Sequence, residues 1–108
     1  MISYNKLVRD RIIEKIEASW GTAKYHVATP EEFEAKLKEK LVEEAKELAA
    51  EHNIEDIKNE LADVLKVTQE IMKLYAITEE EIKDAIKKKD EKAWGFEQKI
   101  ILEEASEF

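Results

Sequence analysis

Apolar residues recur at helical spacing through three long stretches of the chain, and polar punctuation separates them. In the first, Phe33, Leu37, Leu41 and Leu48 share one side of a helix turning about 100° per residue, and Glu44 falls among them. In the next, Ile57, Leu61, Val64, Thr68, Ile71 and Tyr75 repeat at intervals of three or four, with Glu60 between Ile57 and Val64. In the third, Ile82 and Ile86 mark the buried side of a helix that also carries the run Lys87-Lys88-Lys89. Each stretch opens on a start signal. Thr29-Pro30-Glu31-Glu32 combines an N-cap hydroxyl, a proline at the first helical position and a Glu placed for a capping box, which predicts a helix from about Pro30 to His52. Asn53 caps a helix from about Ile54 to Tyr75, and Thr78-Glu79-Glu80-Glu81 opens one that ends near Trp94-Gly95, with Gly95 expected in the left-handed conformation. Ile12, Ile13 and Ile16 predict a shorter first helix within Arg9 to Ser19, stopped by Trp20-Gly21. Thr22 to Ala28 reads as a loop, and Lys99-Ile100-Ile101-Leu102 as a terminal strand or extended tail.

Composition points the same way. With 44% hydrophobic and 41% charged residues, two Gly and one Pro, the chain favours long helices joined by few turns, an all-α fold. Its 108 residues make one domain, 1–108, whose core is small. Leu37, Leu41, Leu48 and the stripe from Ile57 to Tyr75 are more apolar surface than one subunit covers, so a homodimer or larger homo-oligomer is expected. A formal net charge of −8 argues against wrapping a nucleic-acid polymer, although a free nucleotide can still bind through a bridging cation. Without cysteine there is neither a disulfide framework nor a thiolate metal site, and no segment approaches the roughly 20 apolar residues of a membrane span. The expectation is a soluble, cytoplasmic protein with no membrane partner.

Candidate chemistry lies in Glu43-Glu44-Ala45-Lys46-Glu47 on one long helix and Glu60-Leu61-Ala62-Asp63 on the next. Residues three apart share a helix face, so Glu44 with Glu47, and Glu60 with Asp63, each form a carboxylate pair. Packed antiparallel across the turn at Asn53, the helices would bring both pairs into an oxygen cage suited to Mg²⁺ or Mn²⁺. Among 26 acids an EExxE string is ordinary on a solvated face. Glu44 and Glu60, however, fall within apolar arcs, where a carboxylate is costly unless it is paired, hydrogen-bonded or bound to a cation. Neither His26 nor His52 follows a Glu by three positions, so the Glu-x-x-His pattern of bundle di-iron sites is absent. With no Cys and no Ser or Thr in a nucleophile elbow, covalent catalysis has little support.

Glu43-Glu44-x-x-Glu47 followed by Glu60-x-x-Asp63 resembles the EExxE and ExxD motif pair of the MazG-like all-α nucleotide pyrophosphohydrolases. That superfamily also includes phosphoribosyl-ATP pyrophosphohydrolase and dimeric dUTPases. The opening Tyr4-Asn5-Lys6-Leu7-Val8-Arg9-Asp10-Arg11-Ile12 is similar to that of a phosphoribosyl-ATP pyrophosphohydrolase-like subgroup. The lysine-rich last helix, Gly95-Phe96 and the apolar segment from Lys99 to Leu102 extend the likeness over nearly the whole chain. Two positions depart from the subgroup: Ile13 stands where it has proline, and Trp94-Gly95-Phe96 where it has Gly-Gly-Phe.

The resemblance implies a four-helix-bundle-type fold completed by oligomerisation. It implies Mg²⁺-dependent hydrolysis of a nucleoside triphosphate between its α and β phosphates, giving a monophosphate and pyrophosphate, with Mn²⁺ as a possible substitute. Glu44, Glu47, Glu60 and Asp63 would hold the metal and Glu43 would orient or deprotonate water. Lys6, Arg9 and one of the later lysines, taken as Lys88, would bind phosphate, and Trp94 or Phe96 would stack on the base. Alternative functions are phosphoribosyl-ATP hydrolysis in histidine biosynthesis and, from another class, a non-catalytic helical interaction module.

Overall fold

All three of the longer helices begin where a side chain satisfies their first free N–H groups. The Thr29 hydroxyl accepts from the Glu32 amide at 3.2 Å, the Asn53 side chain from the Asp56 amide at 2.9 Å, and the Thr78 hydroxyl from the Glu81 amide at 3.2 Å. Such caps each contribute about 1 kcal/mol. At Thr78 the box is completed, because the Glu81 carboxylate accepts back from the Thr78 amide at 3.4 Å. At Thr29 it is not: Glu32 turns its carboxylate to the His26 ring at 2.8 Å instead.

The computed structural model describes residues 2–106 and contains four helices: α1 (Ile12–Ala18), α2 (Pro30–Ala50), α3 (Ile54–Leu74) and α4 (Glu79–Ala93). No strand occurs among the described residues, so the segment from Lys99 to Leu102, expected as a terminal strand or extended tail, has no ladder partner, and Lys99 takes a positive φ of 56°. The chain forms two compact units, one running to Ala76 and the other beginning at Ile77.

In the first unit α2 packs on α3. Both are 21 residues long, and the chain reverses between them through Glu51, His52 and Asn53. The reversal shortens α2 from the expected His52 to Ala50, because Glu51 and Asn53 are both extended, at ψ 150° and 153°. The seam between the helices buries Leu37 and Val67, flanked by half-buried Phe33, Leu41, Leu48, Ile57, Val64 and Ile71. On α3 the seam runs through positions 57, 60, 64, 67 and 71. Leu61, one residue and about 100° further round, is therefore 45% exposed and Tyr75 43% exposed, contrary to the periodicity expected from the sequence. Ile2 to Arg9 form no helix, and this segment is tied across both helices: Lys36 donates to the Asn5 carbonyl at 2.9 Å, Lys6 pairs with Glu43 and Arg9 with Asp63.

α1 is shorter than the stretch from Arg9 to Ser19 and ends in a Schellman turn. Trp20 N–H bonds the Glu17 carbonyl at 3.1 Å and Gly21 N–H the Ile16 carbonyl at 3.0 Å. Trp20, not glycine, takes the positive φ of 63°, while a Cβ on Gly21 would stand 3.0 Å from the Ile16 side chain. A side chain there would press on Ile16, so glycine eases the close approach at this end. In the second unit the positive φ again falls one residue before glycine, on Trp94 at 64°, which corrects the expectation for Gly95. Ile82 and Ile86 on α4, expected on its buried side, are 36% and 54% exposed.

Ala76 follows α3 at φ 54°, its amide bonded to the Lys73 carbonyl at 3.2 Å. The left-handed conformation costs an L-residue about 1–2 kcal/mol, and glycine returns part of that gain through the freer unfolded chain. Ala76→Gly is expected to raise stability by about 0.5–1 kcal/mol in urea denaturation; an unchanged or lower midpoint would show that the strain is absent.

Candidate metal centre

Three carboxylates meet on the α2–α3 seam. Glu44 and Glu47 come from successive turns of α2 and Glu60 from α3, and each offers an oxygen within 4.8 Å of the others. Glu44 is 6% exposed, Glu60 half-buried and Glu47 exposed, so the cluster opens to solvent on the Glu47 side. One oxygen of Glu44 is 3.4 Å from the Lys40 ammonium. Its other oxygen and Oε2 of Glu60 are buried with no hydrogen-bond partner. An orphaned carboxylate oxygen is among the costliest groups to bury, and two of them beside a third carboxylate form a donor set that a hard cation would satisfy.

Titration behaviour follows from this crowding. Burial pushes the Glu60 carboxyl up to about 7, helped by a hydrogen bond with Glu47 and the charges of Glu47, Asp63 and Glu44. Glu44 is raised for the same reasons, burial first, then Glu47 and Asp63, with Lys40 opposing. Like charges held together favour a shared proton when no cation is bound.

Asp63, the fourth expected ligand, stands outside the cluster: its Oδ1 accepts from the Arg9 guanidinium at 2.8 Å. Glu43 likewise pairs with Lys6 at 3.0 Å and Lys40 at 3.6 Å. Burial works to raise Glu43, but the Lys6 hydrogen bond and the charges of Lys40 and Lys6 outweigh it and hold the carboxyl below its ordinary range. The same hydrogen bond raises Lys6, against a smaller effect of burial. Two of the expected phosphate-binding residues, Lys6 and Arg9, are therefore brought beside the acids.

The others, Lys88, Trp94 and Phe96, belong to the unit beginning at Ile77. Trp94 and Phe96 are 72% and 95% exposed, and the lysines beside Trp94 along an open groove of α4 are Lys83 and Lys87, not Lys88. Lys40 was not singled out from the sequence. Its signal is the spacing of three and four residues to Glu43 and Glu44, which is easily lost on a helix so rich in Lys and Glu.

Compared with models of known protein families, with curated proteins and with solved structures, the chain matches none.

A carboxyl raised from 4.5 to about 7 binds its proton more tightly in the folded state, so its contribution is fully present below about 4.5 and is lost as pH rises through about 7. With EDTA present, the Tm should carry a component that falls across this window. Glu60→Gln should remove that component and saturating Mg²⁺ should suppress it. Identical pH profiles for wild type and variant in EDTA would show that the carboxylates are not crowded.

Proposed function

We propose that the protein is a divalent-metal-dependent nucleoside triphosphate pyrophosphohydrolase of MazG-like type, cleaving between the α and β phosphates to give a nucleoside monophosphate and pyrophosphate. The observation that carries the proposal is the pair of partnerless buried oxygens on Glu44 and Glu60, two acids that cluster with Glu47 at a helix seam. Purely solubilising acids have no reason to occupy that seam. The motif pair spanning Glu43 to Asp63 and the nearby basic groups of the N-terminal segment support the nucleotide as substrate.

Glu44, Glu47 and Glu60 hold the metal, with Asp63 as a further ligand. Mg²⁺, or Mn²⁺ in its place, supplies charge neutralisation for the phosphates and a lowered pKa for a bound water. Lys6 and Arg9 offer positive charge to the phosphates, Arg9 in the planar fork that matches phosphate oxygens. Glu43 is kept ionised by Lys6 and Lys40, the form that accepts a proton or orients a water; a phosphate that draws Lys6 away frees it for that role. This division of labour suits phosphoryl chemistry, in which positioning and electrostatics dominate over covalent participation.

Pyrophosphate release from a panel of nucleoside triphosphates with Mg²⁺ or Mn²⁺ tests the activity. Glu44→Gln is expected to lower it by at least about 100-fold. The metal-free variant should be as stable as wild type or more so, since one like charge is removed. Wild type should show a saturable Mg²⁺-dependent rise in Tm that the variant lacks. Full activity in Glu44→Gln would defeat the assignment.

The same fold reading includes self-association. Val42 on α2 and Leu61 and Leu65 on α3 are 53%, 45% and 59% exposed, apolar side chains that a second copy of the chain would cover. Light scattering at micromolar concentration should give a dimer or larger species, and a folded monomer would contradict it.

A further inference from the structure

Asp63 lies one helical turn from Glu60, near enough for its charge to push up both the Glu44 and Glu60 carboxyls. It is nonetheless the one acid of the four whose oxygen is turned to a guanidinium, at 2.8 Å. That guanidinium comes from outside the helices, on the segment that precedes α1. Its side chain is 62% exposed and the Asp63 side chain 37%, so the pair is weak and readily exchanged. Beside it Glu44, more than nine-tenths buried and one of the three clustered acids, has an oxygen without a hydrogen-bond partner. A cation is therefore already in contact with the edge of the acidic centre, and it is part of the chain.

We propose that Arg9 is a resident counter-cation of this centre: it competes with a divalent ion for Asp63, and the ion gains the fourth carboxylate by displacing it. The inference rests on the metal-site reading above and adds an order of events. A phosphate arriving first meets an occupied guanidinium and three glutamates that repel it. Once the ion has taken Asp63, Arg9 is released beside the site with its charge unspent, because guanidinium does not deprotonate. Arg9 thus couples occupation by metal to readiness for an anion.

Calorimetric titration with Mn²⁺ alone, in the absence of nucleotide, tests the competition on four folded proteins: wild type, Arg9→Gln, Asp63→Asn and the double variant, each with helical content verified by circular dichroism. Arg9→Gln is expected to tighten Mn²⁺ binding by about threefold to fivefold, the scale of an exposed ion pair. Asp63→Asn should weaken binding, and the tightening should vanish in the Asp63→Asn background, since Arg9 then has nothing to withhold. Equal tightening in both backgrounds would report a general loss of positive charge and overturn the proposal. So would unchanged affinity in Arg9→Gln, with Mn²⁺ still bound by wild type, and in either case the metal site itself would stand. Absence of Mn²⁺ binding in all four would overturn both readings.

Discussion

Mutual repulsion among carboxylates at a helix seam is the constraint around which this hairpin is arranged. Glu44 occupies a seam position on α2 that would otherwise take an apolar side chain, and Glu60 does the same on α3, with Glu47 closing the group. Left alone, these charges would push the helices apart or take up protons, and the raised Glu60 and Glu44 carboxyls record that tendency. Three basic groups answer it. Lys40 reaches Glu44 and Glu43 from within α2, and the N-terminal segment brings Lys6 to Glu43 and Arg9 to Asp63. The apolar seam that opposes the repulsion is short, with Leu37 and Val67 its buried hydrophobic residues.

Much of this could be read from local chemistry. The caps at Thr29, Asn53 and Thr78 were legible because they depend on a hydroxyl or amide three residues before the amide it accepts from, a relation wholly contained in the sequence. Glu44 and Glu60 were legible as seam residues because helical rotation places them among apolar neighbours. The same rotation misled at Leu61. Glu60 and Leu61 are adjacent, and an apolar repeat chooses the leucine, whereas packing chose the glutamate. A repeat traced through hydrophobic residues places both on the inward arc and cannot tell which of two adjacent residues the packing turns outward.

What stayed illegible was non-local. The Lys6–Glu43 and Arg9–Asp63 pairs join residues 37 and 54 positions apart, and no periodicity reports which lysine of an extended segment meets which glutamate of a helix. Trp20 and Trp94 were illegible for another reason. At both sites a glycine follows, and preference assigns the positive φ to the glycine; the Schellman geometry at α1 instead uses Gly21 to let the backbone pass close to Ile16.

The short reversal from Glu51 to Asn53 also has a kinetic meaning. Because Glu44 and Glu60 sit on neighbouring helices joined by so brief a connection, their encounter requires closing a small loop, among the fastest steps open to a chain. The pairs made by Lys6 and Arg9 close far longer loops and should form later on average. A chain emerging from synthesis exposes Lys6 and Arg9 before the clustered acids, yet joins those acids to one another before these two basic groups reach them. The interval between those events is when the clustered charges are least compensated from within, and when dissolved cations have the freest access to them.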